Sequence, residues 1–241
     1  MAAYPRAMHV LSVNLGRATT AADRSAPDSA FAAGLGSGID KRPVPGPVAV
    51  AAPGPKGVAG SGLAGDAIVS LRHHGGDDQA VYAFAREDLD DWERALGRTL
   101  PDGSFGENLT TAGVDVSGAR IGERWRVGER LLLEVTSPRI PCRTFAHVAG
   151  RERLGVRRFT EAAAPGAYLR VLEPGEVRAG DPIAVVHRPA HEVSVSFAFR
   201  ARTTERALLP RVLAAGDALH PELLRKAEES ARSAESRPGS G

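Results

Sequence analysis

The sequence predicts an α+β fold, a β-barrel-centred core followed by a three-helix extension at the C-terminal end. Three observations lead there. Short apolar runs separated by Gly- and Pro-rich turns recur from His9 to Val186. Helical spacing of apolar residues is brief until Arg188-Pro189 and then dominates. The regular strand–helix–strand alternation of a doubly wound sheet is missing. Hydrophobic residues make up 42% of the 241-residue chain and charged residues 25%, enough apolar material for a real core under a polar surface. We divide the chain into a core domain over 1–188 with a mobile insertion at 18–38, a helical extension over 189–232 and a disordered tail over 233–241.

The elements follow in order. His9 to Leu15 reads as an opening strand. Ala18 to Gly38 is small and polar and reads as a long loop; its glycines lack the Lys-Ser/Thr of a phosphate loop. Ile39 to Val50 carries prolines that confine it to turns and a strand start. Gly54 to Gly65 is a glycine-rich connection. Ala67 to Leu71 and Ala80 to Phe84 read as strands flanking the loop Arg72-His73-His74-Gly75-Gly76-Asp77-Asp78-Gln79. From Glu87 to Leu96, Leu89, Trp92 and Leu96 fall on one helical face and Gly97 ends the helix. Phe105 to Thr111 reads as loop. Ile121 to Val127 and Leu131 to Thr136 form a hairpin. Arg143 to Val148 and Glu152 to Ala164 read as helices, and Ala167 to Leu172 with Asp181 to Val186 as a last hairpin. Three helices close the chain: Val193 to Arg202, Glu205 to Ala215 and Pro221 to Arg232.

Bulk chemistry excludes several classes. The formal net charge is only +2, with 31 basic side chains against 29 acidic ones, so a nucleic-acid partner is not expected despite a pI near 9.0. One cysteine rules out an internal disulfide framework and a self-contained four-cysteine cluster or zinc ribbon. It suits a reducing cytoplasm, the expected location. The first residues lack the pattern of a signal peptide, and no run is long and apolar enough to cross a bilayer, so no membrane partner is expected.

The stretch richest in chemistry is Ser137-Pro138-Arg139-Ile140-Pro141-Cys142-Arg143, which holds that cysteine at the end of an apolar strand. Fixed cations and a helix N-terminus favour a thiolate, and Pro141 suits a helix start. A lone cysteine is also commonly a small buried hydrophobe. The loop after residue 71 can place one histidine and one carboxylate near a ligand, or be an ordinary turn. Lys41-Arg42 is a close basic pair that a solvated turn would equally explain.

Several segments together resemble the MOSC domain, the C-terminal module of molybdenum cofactor sulfurases. They are His74-Gly75-Gly76-x-Asp78-Gln79-Ala80-Val81, Phe105-Gly106-Glu107-Asn108-Leu109-Thr110, Ile121-Gly122-Glu123 and Ser137-Pro138-Arg139-x-Pro141-Cys142. The Lys41-Arg42-Pro43-Val44-x-Gly46-Pro47-Val48 segment and the helical tail are similar to the stand-alone bacterial YiiM-like branch. The resemblance implies a β-rich core, a molybdenum cofactor (molybdopterin), and Cys142 as thiolate ligand of the molybdenum. It also implies reduction of a small N-hydroxylated substrate, such as a hydroxylaminopurine-type base analogue, in a detoxifying role. The chemistry is compatible. Molybdenum accepts a soft sulfur donor. Lys41, Arg42, Arg139 or Arg143 can meet the pterin phosphate or oxo groups. His74 can supply a proton as the N–O bond breaks. Asp78 orients His74 or caps its turn, and Glu107 and Asn108 bind cofactor or substrate or satisfy the loop backbone. The expected catalytic set is therefore Cys142, His74, Lys41 and Arg42. The chain has no flavin or nicotinamide fingerprint, so electrons are expected from an external flavoprotein reductase. A homodimer is compatible with the sequence. The competing readings are a carrier that holds sulfur as a Cys142 persulfide or passes on cofactor, and a binding module without chemistry.

Overall fold

The computed structural model describes residues 7–16, 41–68, 71, 72, 74–141 and 152–235. Ten strands are β1 (His9–Gly16), β2 (Lys41–Pro43), β3 (Val48–Val50), β4 (Val81–Ala85), β5 (Leu109–Ala112), β6 (Arg124–Val127), β7 (Leu131–Pro138), β8 (Ala167–Glu173), β9 (Gly175–Val177) and β10 (Ile183–His187). Five α-helices are α1 (Arg86–Leu96), α2 (Glu152–Ala162), α3 (Val195–Thr203), α4 (Leu209–Val212) and α5 (Pro221–Glu235).

Eight strands form one mixed sheet in the order β10-β6-β7-β8-β4-β5-β1-β2, while β3 and β9 pair separately. Only β4 and β5 run parallel. The α+β class holds. The expected barrel does not close through a continuous ladder among the described residues. The start of β1 instead meets the approach to β10 at a single bridge, His9 to Pro182, with Val10 N–H donating to the Asp181 carbonyl at 2.9 Å.

Strand β4 and the first half of β8 are buried on both faces and separate two cores. Strand alternation sends Val81, Ala83, Ala85, Ala167 and Leu169 into a large aliphatic core. It sends Tyr82, Phe84 and Tyr168 to the other side, into an aromatic cluster with Trp92, Phe105, Phe159 and Phe199. Helix α1 seals that cluster with Leu89 and Trp92, and its chain leaves through Gly97 in the left-handed conformation. The C-terminal segment joins both cores: Val193, Val195, Ala198, Val212, Leu219 and Ala227 pack in the first, Phe199 in the second. Helix α3 begins at Ser194, whose side chain accepts from Phe197 N–H at 3.0 Å. Ser194→Ala should cost about 1 kcal/mol, read as a melting temperature lower by roughly 2–4 °C.

Four expectations need correction. Ala67 and Ile68 have no strand structure and 71–72 is a turn; Ala67 N–H donates to the Gly16 carbonyl at 3.0 Å, at the end of β1, but the contact is not extended into a ladder at Ile68. Leu109 to Thr111, read as loop, belongs to strand β5 (Leu109–Ala112), because Leu109 and Thr110 are held between β1 and β4. The last hairpin does not form: β8 pairs with β7 and β4, and β10 pairs with β6. Glu205 to Ala215 is not one helix, since short 3-10 turns at Arg206–Leu208 and Leu213–Ala218 flank a four-residue α4, with Gly216 outside helical angles. The β6–β7 hairpin is as expected. The 18–38 insertion and the expected helix Arg143 to Val148 lie outside the described residues. No helix among the described residues is long and apolar enough to cross a membrane.

Candidate active site

Four of the expected site residues, Lys41, Glu107, Asn108 and Arg139, occupy the strand ends where β1, β2, β5 and β7 approach one another. Lys41, at the start of β2, is buried, and its ammonium lies 2.5 Å from Asp66 Oδ2. Burial lowers the Lys41 pKa, and the Asp66 charge and hydrogen bond oppose that shift. Asp66 is the hub of the arrangement. Its Oδ2 also accepts from Asn108 Nδ2 at 2.9 Å, and its Oδ1 accepts from Gly16 N–H at 2.7 Å. Asn108 in turn accepts from Tyr82 N–H through Oδ1 at 3.2 Å. One buried carboxylate thus ties together the ends of β1 and β2 and the approach to β5.

Glu107 is fully buried and serves the backbone. It accepts from Gly103 N–H at 2.6 Å, Phe105 N–H at 2.9 Å and Thr110 Oγ1 at 3.0 Å. Burial pushes its pKa up, and these three donors oppose the shift. Of the two roles open to Glu107 in the sequence, loop support is the one its contacts fill. Thr110 Oγ1 extends the network by accepting from Asn14 Nδ2 at 3.0 Å, and Asn14 Oδ1 accepts from Ser12 Oγ at 2.7 Å. The turn that presents Glu107 depends on Gly103, whose φ of +88° is left-handed and whose added Cβ would lie 2.4 Å from the Lys41 carbonyl oxygen. Gly97 also has positive φ, at +65°, but a Cβ there meets nothing within 4 Å. Gly103→Ala should therefore cost about 2–5 kcal/mol, strain plus collision, against about 1–2 kcal/mol for Gly97→Ala, measured by chemical denaturation.

Arg139 follows β7 and is 4% exposed. Its guanidinium lies 5.2 Å from the centroid of the Tyr82 ring and donates to the Phe105 carbonyl. Arg139 therefore bridges the β7 exit to the Phe105–Thr110 motif. Arg42 departs from the group: β2 alternation buries Lys41 and exposes Arg42. Cys142 and Arg143 lie outside the described residues, so Arg139 and Ile140 mark the described approach to the thiol.

His74 is half-buried, and its Nδ1 lies 3.4 Å from the Tyr168 hydroxyl. Asp78 does not fill the orienting role. Its Oδ1 pairs with Arg170 at 2.7 Å, and its carbonyl accepts from Thr136 Oγ1 at 2.6 Å. Arg170 also donates to the carbonyls of Asp217 and Ala218, both at 3.2 Å, so it joins the histidine loop to the C-terminal segment.

Sequence reasoning missed Asp66, Asn14, Tyr168 and His220. Asp66 follows a glycine-rich run that carries no periodic signal, and its partners lie 25, 42 and 50 positions away. His220 precedes α5. Its ring is buried, its Nδ1 accepts from Glu222 N–H at 3.1 Å, and its backbone N–H donates to the Thr136 carbonyl at 3.1 Å. Burial, then the Lys56 charge, push its pKa down to about 4. Asp88 shifts the other way, to about 6, through burial and the charges of Asp115 and Glu87. The signs follow from linkage. Between pH ~4 and ~6.5 the unfolded chain protonates His220 more than the folded chain, so this residue makes stability rise with pH and fall on acidification. In the folded chain Asp88 holds its proton more tightly than when unfolded, so it makes stability fall as pH rises from about 4 to about 6. The two slopes oppose. Asp88→Asn should make the slope of stability against pH more positive across that window, and His220→Asn should make it more negative, measured by denaturation at a series of pH values.

The comparisons agree with the fold and the motifs. The MOSC domain family model matches residues 70–184. The uncharacterized protein YflK of Bacillus subtilis (strain 168) is 37% identical over 136 residues, 56% of this chain and 61% of YflK. A protein named Reductase from Gibberella moniliformis is 33% identical over 146 residues, 59% of this chain and 26% of that protein. The matched region thus spans less than two thirds of the length of either relative. The crystal structure of YiiM from Geobacillus stearothermophilus superposes with a TM-score of 0.70 and 26% identity, covering 92% of this chain and 98% of that one. The histidine loop, the Phe105–Thr110 turn and the β7 exit all lie inside the matched region, and residues 70–184 are a MOSC domain.

Proposed function

We propose that the protein is a molybdenum-cofactor-dependent reductase of small N-hydroxylated compounds, fed with electrons by a separate flavoprotein reductase. The observation that carries this reading is the pair of buried cations, Lys41 and Arg139, gathered at the strand ends where β7 runs toward Cys142. Two buried cations and an exiting strand that leads to a soft sulfur donor fit an anionic pterin bearing molybdenum. Cys142 would hold the metal, and Arg139 and Lys41 would face the anionic part of the cofactor, with Arg143 as a further cation. The cofactor supplies the electron pair that replaces the N–O bond. Two protons complete the reduction, one on the nitrogen and one on the departing hydroxyl to make water, and His74, steadied by Tyr168, donates the latter. Asp66 and Asn108 keep Lys41 in place, and Glu107 keeps the turn beside it. The relative named Reductase supports an oxidoreductase. A barrel-shaped core belongs to the same proposal, with β1 and β10 meeting at the His9–Pro182 bridge.

The test is direct. Protein purified without oxygen from a host that makes molybdopterin should contain molybdenum and pterin in equal amounts. Once reduced, it should convert 6-hydroxylaminopurine to adenine. Absence of both metal and turnover, with a persulfide on Cys142 by mass spectrometry, would replace this reading with the carrier.

A further inference from the structure

A second polar cluster sits where the C-terminal extension meets the end of β7, and it lines a partly open cavity of about 50 Å³. Gln79, Ser137 and Ile140 line it from the core, and Arg202, His220 and Glu222 from the helices. One buried, unpartnered hydroxyl points to a missing occupant, and a neutral donor faces it across the pocket. Ser137 is 5% exposed, and its Oγ is buried without a hydrogen-bond partner among the described residues. A buried hydroxyl in that state is costly unless something else completes it. His220, 6% exposed, spends Nδ1 on Glu222 N–H. The acceptor role at Nδ1 puts the proton of the neutral ring on Nε2, which leaves Nε2–H as a donor on the helical side of the pocket. The low pKa of His220 keeps that ring neutral at pH 7. Gln79 gives its Oε1 to Lys56 Nζ at 3.1 Å and keeps its amide N–H groups as further donors.

Within the lining, Arg202 meets Glu222 at 3.5 Å; beside it, Arg170 meets Asp78 at 2.7 Å and Lys56 brings a further positive charge near His220. The lining therefore offers neutral donors more than net charge. The volume suits one small polar group and not a ring. Ile140 lies two residues before Cys142 in the sequence, so the cavity adjoins the segment that leads to the thiol.

We propose that this cavity is a substrate subsite, in which Ser137 Oγ and His220 Nε2–H bind a small uncharged oxygen-bearing group of the substrate. It rests on the reductase reading in one respect, that the group is an N–OH. The C-terminal extension then acts in substrate selection, through a residue outside the matched family region.

The experiment uses the full-length holoprotein with 6-hydroxylaminopurine as probe, and three variants. Ser137→Ala removes the unpartnered hydroxyl. His220→Asn keeps an oxygen able to cap Glu222 N–H but lacks the Nε2 donor. His220→Gln restores a donor near the Nε2 position. Binding is followed by the ¹⁵N shift of His220 and by calorimetry, apart from turnover. Ser137→Ala and His220→Asn should each weaken binding and raise KM by roughly three- to tenfold, with kcat little changed, and His220→Gln should recover part of the loss. Ser137→Ala should not lower the melting temperature, which separates binding from a structural role. Wild-type binding and KM in both variants would overturn the subsite while leaving the reductase reading intact. Binding that is sensitive to both variants, without turnover, would sustain the subsite and sink the reductase reading. A wild-type protein that neither binds nor reduces the probe would overturn both.

Discussion

Cys142→Ala should leave a folded protein that retains no molybdenum and reduces 6-hydroxylaminopurine at background rate. The reasoning is chemical. The chain holds one cysteine, so no second thiolate can take its place. Soft sulfur is the donor that molybdenum prefers among side chains. Loss of an outer partner of a metal ligand commonly costs about 10–100-fold in affinity or activity, and loss of the ligand itself should exceed that. Metal analysis, absorbance of the reduced and oxidised protein and steady-state turnover measure the outcome together. A variant with full metal and full turnover would remove Cys142 from the site. The contrast with Glu107 is instructive: its replacement should act on stability first, since all its contacts support a turn.

Asp66→Ala should be the most damaging single change to the described framework. It strands the buried Lys41 ammonium and leaves Asn108 Nδ2 and Gly16 N–H without their acceptor. Breaking one side of a buried ion pair costs about 3–5 kcal/mol, because the remaining charge stays buried and alone. For a chain of this size that corresponds to a fall of roughly 10 °C in melting temperature. Asp66→Ala combined with Lys41→Met should recover much of the loss, since the uncompensated charge goes as well. Thermal melts of the single and double variants decide it. A single variant within 1 or 2 °C of wild type would mean that the pair is not buried in solution.

Much of this architecture could be read from the residues, and the failures have physical causes. Strands with an unambiguous apolar run, such as Leu131–Pro138, and the amphipathic α1 declared themselves. Leu109–Ala112 did not, because two of its four residues are threonines and it follows a glycine-rich turn. Pairing of β8 and β10 with other strands depends on contacts far apart in sequence, which a local turn such as Glu173-Pro174-Gly175-Glu176 cannot reveal. At the site, Lys41, Glu107, Asn108 and Arg139 were marked by their motifs, and the structure brings them together. Their roles were less legible. Whether Glu107 meets a ligand or a backbone amide is set by φ angles at Gly103 and Gly106, not by its identity. Asp66 and His220 sit outside every motif, and only the folded chain shows what they hold.

Thr136 carries a consequence of its own. It is fully buried in β7, its hydroxyl reaches the Asp78 and Tyr168 carbonyls, and its carbonyl receives His220 N–H. Amide hydrogen exchange at His220 should thus report the opening of the histidine loop as well as of the helices. Loop and extension would open as one unit, and protease cleavage between them should leave two fragments that stay associated until denaturant is added.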